Sequence, residues 1–191
     1  GFTLDFNPYA EDADPIMANE VEKTSQMVMT TINAITASGE GIGLSQKEAF
    51  ETAFEAVIEV VKENVDGKSK IDFADNNVLE DIQSKAVVAA VSKGADENTF
   101  KRTLDKAIET TKVVNADIKN LEDVFSAGAK KIFSDAAQVS ETAKTAATEV
   151  TADLTSFQEA LSSPNLSSSP PAPISIDTIA GDNIINIKEK E

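Results

Sequence analysis

The sequence contains no cysteine, no histidine, no tryptophan and a single tyrosine. Without cysteine there is no disulfide, no thiolate nucleophile and no thiolate ligand. Without histidine the chain lacks the commonest general base and the commonest transition-metal ligand, which argues against a zinc or iron site. Serine and threonine are plentiful, yet no imidazole is present to activate one of them. Basic residues are also scarce: 17 Lys and Arg stand against 33 Asp and Glu, a formal net charge of −16. That balance repels nucleic acid and anionic membrane surfaces, and it suits surroundings in which salt or divalent cations screen self-repulsion. No apolar run approaches the roughly twenty residues a membrane-spanning helix needs, so membrane insertion is not expected. The opening GFTLDFNPYAEDADP has neither the basic start nor the apolar core of a signal peptide, which says nothing about export of a parent protein.

What the sequence has is helical periodicity. At 191 residues it suits one well-buried domain with a short appendage. Residues 1–14 read as an irregular acidic leader carrying Asp5, Glu11, Asp12 and Asp14. Asp14-Pro15 then supplies an N-cap followed by proline at the first helical position. Met17, Val21, Val28, Ile32 and Ile35 mark one face of a first helix, which SGEGIG at 38–43 is expected to end. Ser45-Gln46-Lys47-Glu48 matches a capping box, in which Ser45 covers a free amide and Glu48 reaches back. The core face of this second helix is expected to include Phe50, Phe54, Val57, Ile58 and Val61, with Asp66-Gly67 as the stop. A third helix is expected from Asn77, with Glu80 as its box partner, Val78, Leu79, Ile82 and Val87 as apolar positions, and Gly94 at its end. A fourth begins near Asp96 and carries Phe100, Leu104, Ile108 and Ile118. VVNADIKNLED leaves open a bend, a loop or plain helix.

The last helical stretch is the most regular. Phe125, Ala129, Ile132, Ala136, Val139, Ala143, Ala146, Val150, Leu154, Phe157 and Leu161 alternate by threes and fours, the seam of a helix lying along a partner at a shallow angle. Its many alanines permit close approach. The expected fold class is therefore all-α, a four- to five-helix bundle over residues 15–161 with a long C-terminal helix as its spine. SSPNLSSSPPAP at 162–173 is a Pro/Ser linker, solvated by serine and stiffened by proline. Residues 174–191, ISIDTIAGDNIINIKEKE, alternate apolar and polar residues like one β-strand too short to fold alone, and lead to the expectation that the chain is a piece of a longer modular protein.

Candidate chemistry is thin. The carboxylate pairs Asp12 with Asp14, Glu20 with Glu22, and Glu122 with Asp123 are acid/base candidates by type, but on polar helix faces such pairs are simply hydrated. Calcium is the more serious metal, because hard oxygen ligands gather in DFNPYAEDAD, with Asp12 and Asp14 as the candidates there. NVDGKSKIDFAD superficially resembles an EF-hand loop, but Lys68 and Lys70 fall where ligands belong and the glycine is misplaced. GEGIG precedes a capping box and reads as a turn, and no phosphate loop is present. Met27 and Met29 flank the first helix's seam, where gap-filling packing is the simpler reading.

The tail carries a resemblance. Ile176, Asp177, Ile179, Gly181, Asp182, Asn183, Ile185 and Asn186 resemble the opening of the bacterial immunoglobulin-like repeats of very large secreted adhesins, which begin with an Ile/Val-rich strand, Asp, and Gly-Asp-Asn followed by Ile/Val-Asn. IKEKE departs from the small residues that usually follow, and the match covers about a fourteenth of the chain. The resemblance implies a truncated Ig-like repeat beginning at residue 174, and calcium candidates at Asp177 and Asp182, since such repeats often bind calcium at their junctions. Residues 12–35 are similar to helical segments of long bacterial surface proteins, including calcium-dependent type I-secreted (RTX-like) ones, through Asp14-Pro15, Ala18-Asn19 and Val21. Together these imply a non-enzymatic spacer or presentation module of an exported cell-surface adhesin, extracellular, with no organic cofactor. Its partners would be neighbouring domains of the same polypeptide and the cell envelope or a host surface protein. The alternative is a protein-binding or self-assembly module that builds a filament or surface layer.

Overall fold

The computed structural model describes residues 7, 8, 10, 12–66, 71–124 and 126–162. Five helices follow one another: α1 Pro15–Gly41, α2 Gln46–Asp66, α3 Asn76–Ser92, α4 Glu97–Lys119 and α5 Ala127–Ser162. The described residues thus form an all-helical structure of five helices. The expected linker beyond Ser162 and the expected strand at 174–191 lie outside the described residues.

Each start has a local cause. Asp14 caps α1, its Oδ1 accepting from Ile16 N at 2.9 Å and Met17 N at 3.1 Å, with proline next in line. Ser45 and Glu48 form the reciprocal box at α2: Ser45 N donates to Glu48 Oε2 at 3.0 Å and Glu48 N donates to Ser45 Oγ at 3.3 Å. Asp96 caps α4 by accepting from Thr99 N at 2.8 Å. At α3 the cap is Asp75, whose Oδ1 accepts from Asn77 N at 2.8 Å, rather than the expected Asn77 and Glu80. The earlier residue wins because it alone precedes the first helical turn with an extended backbone. The third helix ends before Gly94, which takes φ of +93°, a conformation that glycine adopts without steric cost.

Residues up to Ser156 make one compact unit, and the packing below is that of this unit; of the second, Phe157–Glu191, the described part is the helical backbone of residues 157–162. Ion pairs fix the direction of neighbouring helices. Lys93 meets Glu55 at 2.7 Å while Lys85 meets Glu63 at 2.6 Å, so α2 and α3 run antiparallel. Lys112–Glu80 at 3.1 Å and the Gln83–Asp105 hydrogen bond do the same for α3 and α4. α4 returns beside α1, closing a four-helix ring in which the diagonal pair α1 and α3 barely touches. α5 packs against α1 and α4: Lys144 reaches Glu40 of α1 at 3.7 Å, and Lys106 of α4 reaches Glu149 at 2.8 Å.

The core is built from Ile35, Leu79, Ile82, Phe100, Leu104, Ile108, Ile118 and Val139, all essentially inaccessible. Each such side chain contributes roughly 1.5–3 kcal/mol by leaving water. Small residues set the helix spacing. Ala49, Ala53, Ala143 and Ala147 are fully buried, and Gly41 of α1 lies against Ala147 of α5 so closely that a Cβ there would overlap it. Consequently 38–41 are not a turn: the helix runs on to Gly41, because the glycines let neighbouring helices press against its last turn.

Candidate functional site

The expected metal candidates do not assemble among the described residues. Asp12 is exposed, and Asp14 directs its carboxylate to the amides of α1. Asp177 and Asp182 lie outside the described residues. Among the described residues no group of three metal-ligating side chains comes together. The carboxylate pairs are likewise occupied with local structure or solvent. Glu20 stands 3.6 Å from Lys23 Nζ, Glu22 accepts from Gln26 Nε2 at 2.9 Å, and Glu122 and Asp123 are exposed on the α4–α5 connection.

That connection is pinned by one residue. Asn19 donates through Nδ2 to Glu122 O at 2.9 Å and accepts at Oδ1 from Val124 N at 3.0 Å. Asn115 plays a similar part in the interior. Fully buried on α4, it donates from Nδ2 to Phe73 O at 2.8 Å, to Thr31 Oγ1 at 3.2 Å and to Met27 O at 3.4 Å. It ties α4 to α1 and to the segment before α3.

Near this junction lies a cleft of about 470 Å³ lined by Glu20, Lys23, Thr24, Met27, Ile71, Asp72 and Lys119. Lys23 is nearly buried, and Lys119 Nζ donates to Asp72 Oδ2 at 2.5 Å. That hydrogen bond raises the Lys119 pKa above the ordinary lysine range. Each lysine is thus met by a carboxylate on the cleft wall, and the arrangement is an ion-paired surface depression with no group poised as base or nucleophile.

The most distinctive surface is on α2 and α3. Phe50 and Phe54, one turn apart, stack with centroids 5.8 Å apart and planes inclined by 13°, yet they are 47% and 46% exposed. The expected core face of α2 is corrected here. Ala49, Ala53, Ala56, Val57 and Val60 face inward, Ile58 and Val61 are half-buried, and the two phenylalanines face out. The close α1–α2 approach at Gly39 and Ala49 leaves no room for a ring on the inner face. Beyond Phe54 the stripe continues into a groove of about 560 Å³ with Ile58, Val88 and Ala89 among its walls. Val88 is 71% exposed, and Val91 follows it one turn on. Lysines meet the neighbouring carboxylates: Lys47 with Glu51 at 3.7 Å, Lys93 with Glu55 at 2.7 Å, and Lys85 with Glu63 at 2.6 Å and Glu59 at 3.6 Å. The Glu63 hydrogen bond raises the Lys85 pKa.

Two carboxyls are shifted chiefly by capping hydrogen bonds. The Ser45 hydroxyl lowers the Glu48 pKa, and the Thr99 amide lowers that of Asp96.

Sequence periodicity could not separate the outer from the inner stripe of α2, because Phe50, Phe54 and Ile58 keep helical spacing as regularly as Ala49, Ala53 and Ala56. Nor did any sequence signal mark Asn115, a polar residue in an unremarkable run. No helix among the described residues is long and apolar enough to cross a membrane. No protein-family model matches the chain, and no curated protein or solved structure is significantly similar to it.

Proposed function

We propose that this chain is a non-enzymatic structural module, a spacer or presentation unit, of an exported bacterial cell-surface adhesin. The observation that carries the reading is the run from Ile176 to Asn186, whose Gly181-Asp182-Asn183 resembles the opening of a bacterial Ig-like repeat just after a Pro/Ser spacer. A bundle closed by its own core suits that work, since the buried apolar faces of its helices hold it at a fixed length. Its partners are then the adjoining domains and the cell envelope or a host surface protein, with calcium held at repeat junctions near Asp177 and Asp182.

Surface location gives the test. Intact cells that express the parent gene are treated with an external protease and probed with an antibody raised against the bundle. The module should be cleaved or released from intact cells. Protection in intact cells with cleavage only after lysis contradicts the reading.

A second reading, a protein-binding or self-assembly module, is favoured by the outward Phe50–Phe54 pair. Large aromatics seldom stand half in water beside a core filled by alanine unless something covers them.

A further inference from the structure

We infer that α5 is an exchangeable helix: two copies of this chain associate by each placing its α5 against α1 and α4 of the other, with the α4–α5 connection straightened into helix. The inference gives the self-assembly reading a mode, rests on that reading, and is independent of the spacer reading. Its first support is how the helices stop. α1 and α3 are each followed by a glycine at positive φ, Gly43 at +101° and Gly94 at +93°, a conformation that ends a helix by itself. α4 has no such stop. Asn120 stays in the right-handed helical region at φ −82° and ψ −3°, and residues 120–126, NLEDVFS, hold no glycine or proline.

Local bonds hold the connection lightly. Leu121 N donates to Ile118 O at 3.2 Å, Ser126 N to Asp123 O at 3.2 Å, and Ala129 N to Ser126 Oγ at 3.3 Å. A continuous helix replaces these with bonds of its own. The longer-range hold comes from α1, through the two hydrogen bonds of Asn19 to Glu122 O and from Val124 N, with the Val124 side chain buried beside them. The bend is thus set by α1 more than by the connection itself.

The contacts of α5 identify the occupant. Lys144 with Glu40, Glu149 with Lys106, and Ala147 against Gly41 all join α5 to helices that precede the hinge. The α5 of a second copy makes each of them again with the same geometry. Small side chains ease its departure: Ala129, Ala143, Ala146 and Ala147 are buried, and of the largest fully buried side chains α5 supplies Val139 and Val150 while α1–α4 supply the rest. Because exchange restores what it breaks, the two forms differ mainly at the hinge and in the entropy of association. The closed monomer prevails in dilute solution, and the exchanged dimer forms slowly on concentration, since α5 must first leave its own bundle.

The test incubates the full chain at about 1 mM in about 0.5 M salt, which screens repulsion between chains of −16, and resolves it by size-exclusion chromatography with light scattering. Asn19→Ala removes the clip and should raise the dimer association constant at least about tenfold. Glu122→Gly/Asp123→Gly keeps the backbone partners of Asn19 but disfavours helix through the hinge, and should lower it at least about tenfold. Both variants should keep the circular dichroism spectrum of the bundle. The chain has no cysteine, so exchange can be read directly. Glu40→Cys chains and Lys144→Cys chains are mixed, concentrated, diluted and treated with a short bismaleimide, and the chain carrying both substitutions, cross-linked within its monomer, sets the reach. The expected product is a covalent dimer of one chain of each kind. A monomer throughout, in Asn19→Ala as well, overturns the inference and self-assembly with it. A dimer indifferent to both hinge variants, or one that yields no mixed covalent product, overturns the exchange of α5 while leaving self-assembly standing.

Discussion

Asn115 is buried where three elements meet, and the three acceptors around its Nδ2 come from α1 and from the segment before α3. An apolar side chain there would leave Phe73 O without its donor inside the protein, a cost of about 1–3 kcal/mol for the orphaned group alone. Asn115→Ala adds a small cavity, so the expected loss is about 2–4 kcal/mol in urea unfolding followed by circular dichroism. A change below about 0.5 kcal/mol would mean that the junction does not depend on this side chain. Several buried threonine hydroxyls donate within their own helices instead. The hydroxyls of Thr31, Thr103 and Thr111 donate to carbonyls one turn back in their own helices, and Thr31 Oγ1 also accepts from Asn115.

At the scale of elements, the chain's punctuation was readable because capping chemistry is local. Asp14-Pro15, Ser45 with Glu48, Asp96 and Gly94 each act within a few residues, and each marks its boundary in the structure as expected. Part of the α5 seam was readable from its periodicity: Ala129, Val139, Ala143, Ala146 and Val150 are buried and Ile132 and Ala136 half-buried, while Phe125 and the side chains of Leu154, Phe157 and Leu161 lie outside the described residues. What the sequence hid depends on neighbours distant in the chain. The outward turn of Phe50 and Phe54 is set by how closely α1 approaches α2, and Gly39 and Gly41 read as a turn because their helical role needs Ala49 and Ala147 beside them. Met29 is also half-exposed, while Met27 fills the core as expected. Gly41→Ala tests the packing account. Ala gains up to about 1 kcal/mol over Gly in a helix interior, and less at a last turn. Overlap with Ala147 costs about 1–3 kcal/mol. Net destabilisation of about 1–2 kcal/mol in urea unfolding is expected, and a more stable variant would show that α5 does not press against α1 at this point.

For the whole molecule, charge governs the response to solvent. At −16 the folded chain repels itself, and acidification from neutral pH first eases that repulsion. Two caps then work in the opposite direction. Asp96 and Glu48 have folded pKa values below their ordinary 3.8 and 4.5, so the stability they contribute is present above those values and is lost as pH falls through the folded ones. Lys85, Lys119 and Lys131 are raised above 10.5, so their contribution is complete below that value and lost only as pH rises past it. The melting temperature is expected to hold or rise from pH 7 to about pH 5 and to fall below about pH 4. Added salt should raise it at pH 7. A melting temperature that falls steadily from pH 7 to pH 5, or falls with salt at pH 7, would contradict this balance.

The central claim, that the bundle is a spacer within a much longer surface protein, is tested most directly by the size of the native polypeptide. Cells expressing the gene are extracted under denaturing conditions with proteolysis blocked, and an antibody against the bundle identifies the chain on a gel. The account expects a band several times larger than 191 residues require. A single band at the size of 191 residues would contradict it.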